Sequence, residues 1–242
     1  MSQAPETEPW TSATAILFDL DGVLTPTATV HEHAWEQLFV GFLADHPEVP
    51  GYRESDYFDH IDGKPRFDGV RDFLASRNIV LPEGPTDDSP ENATVQGLGN
   101  RKNSIFNEVV AAGVDPYPGS VKFLRAAQDN GLKVAVVSSS RNAPAVLSAA
   151  GLAGHFAVVV DGVVAAEKGI AGKPKPDTYT YAASLLGTPT EKCVVVEDAV
   201  SGVQAGRAGS FHSVIGVDRG AGRQTLLDSG ASYVVADLDE LL

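Results

Sequence analysis

Cysteine is almost absent from this chain: Cys193 is the only one in 242 residues. No intrachain disulfide can form, so the fold must be held by a buried core. Cys193 lies in an apolar run and is expected to be a small buried hydrophobe. Long apolar runs are missing too, which excludes a helix crossing a bilayer. The polar start, Met1 to Ser12, lacks the basic opening and apolar middle of a secretory signal. Residues 1–12 are therefore expected to form a disordered tail, and the protein is expected to be cytoplasmic. In that setting the sequon Asn92 to Thr94 is a chance match. Basic residues are also scarce, with 18 Lys and Arg against 32 Asp and Glu, a formal net charge of −14. So acidic a surface repels nucleic acid and anionic membranes, and neither is expected as a partner. Phosphates remain possible ligands wherever a few cations converge.

What the chain does have is an ordinary globular composition, 43% hydrophobic and 21% charged. Short β-rich apolar runs occupy 13–18, 133–137, 157–160, 193–196, 213–217 and 233–235. Most are continuous, as strands covered on both faces should be. Helical patterns alternate with them at 121–130, 143–150, 178–186 and 200–208, and Gly131, Gly151 and Gly187 stand where helices end. The alternation implies an α/β fold, a doubly wound parallel sheet. Residues 27–116 break the pattern with helical segments at 31–43, 66–77 and 100–112, and with a loop rich in Pro, Gly, Asp and Ser at 82–99. The expected organisation is a tail over 1–12, an α/β core over 13–26 and 117–242, and an inserted helical cap over 27–116.

The chemistry sits at strand ends. Phe18-Asp19-Leu20-Asp21-Gly22-Val23 carries a strand straight into two carboxylates. In open parallel sheets, ligands bind at the carboxyl ends of strands. Two acids there repel unless a cation joins them, and carboxylates with a phosphate oxygen and waters suit Mg²⁺. A carboxylate can also attack phosphorus. The bland alternative is an Asp-Gly turn with solvated acids, the common fate of an isolated Asp-x-Asp. A second strand end, Val137 followed by Ser138-Ser139-Ser140-Arg141-Asn142, offers hydroxyls and amides to a phosphate, or merely caps a helix. A third element, Gly172-Lys173-Pro174-Lys175-Pro176-Asp177, has prolines expected to hold the segment extended, which would fix Lys173 where a solvated lysine would otherwise sit. The fourth, Val195-Val196-Glu197-Asp198, again ends a strand in acids, which serve a metal or a helix dipole.

Taken in this order, Asp19-x-Asp21-Gly22-Val23, Ser138, Lys173-Pro174 and Glu197-Asp198 resemble the four-motif signature of the haloacid dehalogenase superfamily. Asp21 is similar to the second aspartate of its phosphotransferase branch. The resemblance implies Asp19 as the phosphorylated nucleophile and Asp21 as general acid and base, with its backbone carbonyl on Mg²⁺. It implies Asp198 as a direct metal ligand, Glu197 acting directly or through water, and Ser138 and Lys173 holding the transferring phosphoryl group.

Further residues resemble the β-phosphoglucomutase branch: Phe18 to Ala28, His31, Ala34-Trp35, Gly63-Lys64-Pro65-Arg66, Arg101-Lys102-Asn103, Tyr117-Pro118-Gly119 and Ser138 to Asn142. That resemblance implies interconversion of β-glucose 1-phosphate and glucose 6-phosphate through a 1,6-bisphosphate. Such a reaction must hold two phosphates, and arginine forks suit the second. Arg66, Ser140, Arg141 and Asn142 fill that role by resemblance, Lys102 and Asn103 contact the sugar phosphate, and His31 positions Asp21. The alternative for each lysine and arginine is solvated surface charge, and for His31 a structural role. Trp35 is expected in the cap core. Pro26 departs from the acidic residue usual in the family, and the 82–99 loop is longer than in compact members. A sugar-phosphate phosphatase with the same nucleophile is the competing enzyme reading. A non-enzymatic sugar-phosphate sensor ranks below both, because none of the core acids is lost. The protein is expected to be a monomer acting on a phosphorylated sugar.

Overall fold

A computed structural model describes residues 9–62 and 64–242. The chain divides into two compact units, one running to Pro26 and resuming over Asp115–Leu242, the other formed by Thr27–Val114. In chain order the elements are β1 (Ala15–Phe18), α1 (Thr27–Leu43), α2 (Ser55–His60), α3 (Arg66–Ser76), α4 (Val95–Ala111), α5 (Pro118–Asp129), β2 (Lys133–Val137), α6 (Ala143–Ala149), β3 (Val158–Val160), α7 (Gly162–Lys168), α8 (Asp177–Leu185), β4 (Cys193–Glu197), α9 (Val200–Ala208), β5 (Ser213–Val217), α10 (Arg223–Ser229) and β6 (Tyr233–Val235).

The first unit is a six-stranded parallel sheet in the order β3-β2-β1-β4-β5-β6. This is the α/β architecture that the continuous apolar runs imply. β1 and β4 are buried along their whole length, because each pairs on both edges and carries helices on both faces. Phe18 lies level with Val136 of β2 and Val196 of β4. That register delivers Asp19, Ser138 and Glu197 to one edge of the sheet, beside the point where the strand order reverses. Cys193 is buried, and burial pushes its thiol up to about 11, in keeping with a packing role.

The second unit is helical. Its core gathers Trp35, Phe39, Val70, Phe73 and Leu98, with the Phe39 and Phe73 rings stacked 3.6 Å apart. Each such side chain stabilises by about 1.5–3 kcal/mol through burial. Beneath it, Arg77 pairs with Asp56, both buried. Arg77 also stacks on Phe73 at 4.3 Å. Among the described residues, no helix is long and apolar enough to cross a membrane.

Several expectations need correction. Of the tail expected over 1–12, residues 1–8 lie outside the described residues. Trp10 is buried: it meets Phe123 edge-on at 5.3 Å and donates its indole N–H to Leu241 O at 3.1 Å, so the chain joins the core before residue 12. The loop expected to reach Gly99 ends at Thr94, whose side chain caps α4 by accepting from Gly97 N at 2.9 Å. The rest of that loop is wound on Asp88, which accepts from Thr94 Oγ1, Asn92 Nδ2 and Ser89 N. The segment from Lys173 to Pro176 is not extended: Lys175 N donates to Gly172 O at 3.0 Å and closes a turn. Helices α2, α7 and α10 had no counterpart in the sequence reading; they span only six or seven residues each, too short to show a periodic face.

Candidate active site

At the end of β1 the chain places Asp19 in a buried setting, its amide donating to Val196 O at 2.9 Å. Lys173 reaches it from the turn before α8. The ammonium donates to Asp19 Oδ1 at 2.5 Å, to Glu197 Oε1 at 2.5 Å and to Val137 O at 3.2 Å. Its three protons thus bind three strand ends. Burial works against its charge, but Asp19 and Glu197 outweigh that and raise its pKa, so it stays protonated. For Asp19, burial is the largest influence and pushes the carboxyl well above its ordinary range. Lys173 opposes that shift, and Glu197 and Asp21 add to it.

Glu197 is saturated. Besides Lys173 it accepts Tyr179 O–H at 2.8 Å through Oε1, and Asp198 N and Ala199 N at 3.1 and 3.2 Å through Oε2. Its carboxylate lies against α9 where a Cβ on Gly202 would come within 1.7 Å, so only glycine fits there. Asp198 approaches the turn after Asp21 in the same way. Gly22 has φ +92°, and a Cβ there would stand 1.8 Å from Asp198 Oδ2. The glycine following the two aspartates therefore serves both the backbone turn and the approach of a third acid.

Oxygen atoms of Asp19, Glu197 and Asp198 lie within 4.8 Å of one another. Asp19 and Glu197 share the buried Lys173 ammonium, Asp198 adds a third carboxylate, and the donors are hard oxygens. The charge balance and the donor type both fit a divalent cation of the Mg²⁺ class. Asp21 accepts from Ser138 Oγ at 3.2 Å. Ser138 Oγ also accepts from Ser140 N at 3.0 Å, and Ser140 Oγ accepts from Asn142 N at 3.1 Å. The loop from Ser138 to Asn142 is wound by its own hydroxyls, with Arg141 exposed at its outer end.

The helical unit brings together two further pairs. Arg66 donates to Asn103 Oδ1 at 2.7 Å. Lys102 is buried against His31 Nδ1, with its ammonium 4.7 Å above the Phe106 ring and 5.3 Å from Trp35. His31 stacks on Phe106 at 4.0 Å. These are cations set in aromatic surroundings, unlike solvated surface charges.

The sequence reading missed Tyr179. It is fully buried, donates to Glu197 and lies 5.1 Å below the Lys173 ammonium. Burial, then Glu197, pushes its hydroxyl well above the ordinary range, so it remains a donor. In sequence it was one apolar position in the 178–186 helix, with nothing to mark its hydroxyl.

The family model of haloacid dehalogenase-like hydrolases matches residues 13–209. Proteins described as β-phosphoglucomutase in Mycobacterium bovis and Mycobacterium tuberculosis are 47% identical over 94% of this chain and 91% of their own length. A crystal structure of β-phosphoglucomutase from Clostridium difficile superposes with a TM-score of 0.77 at 24% identity, covering 95% of this chain and 93% of that one, which supports the fold. The chain belongs to the haloacid dehalogenase-like hydrolase family, with β-phosphoglucomutases among its near relatives.

Proposed function

We propose that this protein is a phosphomutase that interconverts β-glucose 1-phosphate and glucose 6-phosphate through an aspartyl-phosphate enzyme and a sugar 1,6-bisphosphate. The observation that carries this reading is the buried Asp19–Lys173 pair set among carboxylates at the sheet edge, in a chain 47% identical to β-phosphoglucomutases.

Asp19 attacks the 1-phosphoryl group of the 1,6-bisphosphate, the bond from phosphorus to the C1 oxygen breaks, and glucose 6-phosphate leaves. Asp21, held by Ser138, gives its proton to that leaving oxygen. In the second half, Asp21 takes the proton from the 6-hydroxyl of β-glucose 1-phosphate, which attacks the aspartyl phosphate, re-forming the 1,6-bisphosphate and restoring Asp19. Lys173 favours the ionised form of the nucleophile against its burial and offsets the charge of the phosphoryl oxygens. Mg²⁺, held by Asp19, Asp198 and the Asp21 carbonyl, with Glu197 acting mainly as the anchor of Lys173, would neutralise the charge that otherwise repels nucleophile from phosphate. We assign Ser140, Arg141 and Asn142 of the core, and Arg66, Lys102 and Asn103 of the helical unit, to the phosphorylated sugar. His31 is assigned to positioning Asp21.

The test is incubation with β-glucose 1-phosphate, Mg²⁺ and a catalytic amount of the 1,6-bisphosphate. Glucose 6-phosphate is the expected product. Free phosphate without glucose 6-phosphate would replace the mutase reading with a phosphatase, in which water attacks the aspartyl phosphate. Replacing Arg66 by Ala separates the two further, since a mutase must hold a second phosphate and a monophosphate hydrolase need not.

A further inference from the structure

The turn that follows Asp21 is clamped at three consecutive carbonyls. Gly22 O accepts from Arg219 Nε at 3.0 Å, Val23 O from Ser120 Oγ at 2.6 Å, and Leu24 O from Tyr117 N at 3.0 Å. Arg219 is the organiser. Its guanidinium lies 3.8 Å over the Tyr117 ring; Nη1 donates to Ala236 O at 2.9 Å and Nη2 to Asp237 Oδ2 at 3.4 Å. One side chain from the end of β5 thus ties the Asp21 turn to the start of α5 and to the segment after β6. Gly22 itself closes the turn by donating to Thr25 O at 2.7 Å. At its other end, the Asp21 carboxylate accepts from Ser138 Oγ at 3.2 Å.

We infer that Arg219 is a positioning residue for Asp21, holding the turn so that the carboxyl meets the leaving oxygen; this rests on the acid–base role proposed above for Asp21. Arginine suits the position because a planar fork can stack on a ring and donate along two edges at once. A lysine head on the same stem cannot make all these contacts.

The consequence is a dependence on the leaving group. A sugar oxygen needs a proton to leave, whereas p-nitrophenolate departs as a stable anion. Displacing the acid therefore slows phosphoryl transfer from a sugar phosphate and spares transfer from p-nitrophenyl phosphate. Both reactions are followed in single turnover with enzyme in excess, for the wild type, Asp21→Asn, Arg219→Met and Arg219→Lys.

Asp21→Asn sets the reference, with a loss of about 100-fold or more confined to the sugar phosphate, the usual share of a general acid. Arg219→Met is expected to follow it in part, losing roughly 10-fold or more on the sugar phosphate and under about 3-fold on the nitrophenyl ester. Arg219→Lys, which keeps charge and stem, is expected to show the same bias to a smaller degree, and it serves if the Met variant does not fold. Equal losses on both substrates, or no loss, in the folded variant overturn the inference. If Asp21→Asn itself shows no bias, the role of Asp21 falls, and with it the ground for the clamp.

Discussion

Replacing Gly22 by alanine tests whether the turn after Asp21 was built to admit Asp198. The new Cβ would lie 1.8 Å from Asp198 Oδ2 and 2.5 Å from its Cγ. Restoring an ordinary C···O separation of roughly 3.3 Å requires the carboxylate to retreat by about 1.5 Å. Misplacement of about 1 Å at a reacting centre costs on the order of 100-fold. The backbone adds its own penalty, because φ +92° costs a residue with a Cβ about 1–2 kcal/mol. Gly131→Ala separates the two effects: its φ is +76°, but nothing lies within 4 Å of its Cβ. Calorimetric titration with Mg²⁺ and thermal unfolding are measured on both variants. Both should lose a similar few degrees of Tm, since about 1 kcal/mol moves a chain of this size by roughly 2–4 °C. Gly22→Ala alone should lose Mg²⁺ affinity, by about 10–100-fold. Wild-type Mg²⁺ affinity in Gly22→Ala would refute the assignment of Asp198 to the cation.

Lys173→Met leaves Asp19 and Glu197 facing each other without their shared ammonium; turnover should fall by about 100-fold or more, and an unchanged rate would remove Lys173 from the mechanism. Tyr179→Phe keeps the ring and removes the donor to Glu197; we expect about 1–2 kcal/mol less stability and a several-fold lower kcat with KM unchanged, measured by denaturant unfolding and steady-state kinetics. In the helical unit, burial pushes Asp56 up, but its hydrogen bonds from Arg77 and the Arg53 amide outweigh this and leave its pKa lowered. The stability it contributes is therefore present above the unfolded carboxylate pKa, near 4, and is lost as pH falls through its lower folded value. Asp56→Asn should cost about 3 kcal/mol at pH 7, because it leaves Arg77 buried without its counter-ion, and the deficit against wild type should shrink on acidification below about pH 4. A deficit independent of pH would show that the pair is not charge-linked.

Much of the core was legible because its strands are buried on both faces. An uninterrupted apolar run such as Ala15–Phe18 has few other uses in a chain of this composition. The acids were legible for the same reason: a carboxylate directly after such a run must lie at the sheet's edge. What escaped the reading was information carried by partners distant in sequence. Trp10 looked like part of a polar tail because its contacts, Phe123 and Leu241, lie more than a hundred residues away. Gly97 and Gly99 made the start of α4 look like loop, since the Thr94 cap is visible only once the helix exists. Tyr179 carries its function on one hydroxyl amid an apolar helical stripe. Arg219 offered a fainter signal, its place just after the run 213–217, at the same edge as the acids.

The central claim is that Asp19 carries the phosphoryl group, and the direct measurement is to find it there. Protein mixed with radiolabelled sugar 1,6-bisphosphate and Mg²⁺, quenched in acid and digested, should yield one labelled peptide containing Asp19. The label should be lost on treatment with base and should be absent from Asp19→Asn. Label on any other residue, or full turnover with no covalent phosphate at any time, would contradict the account.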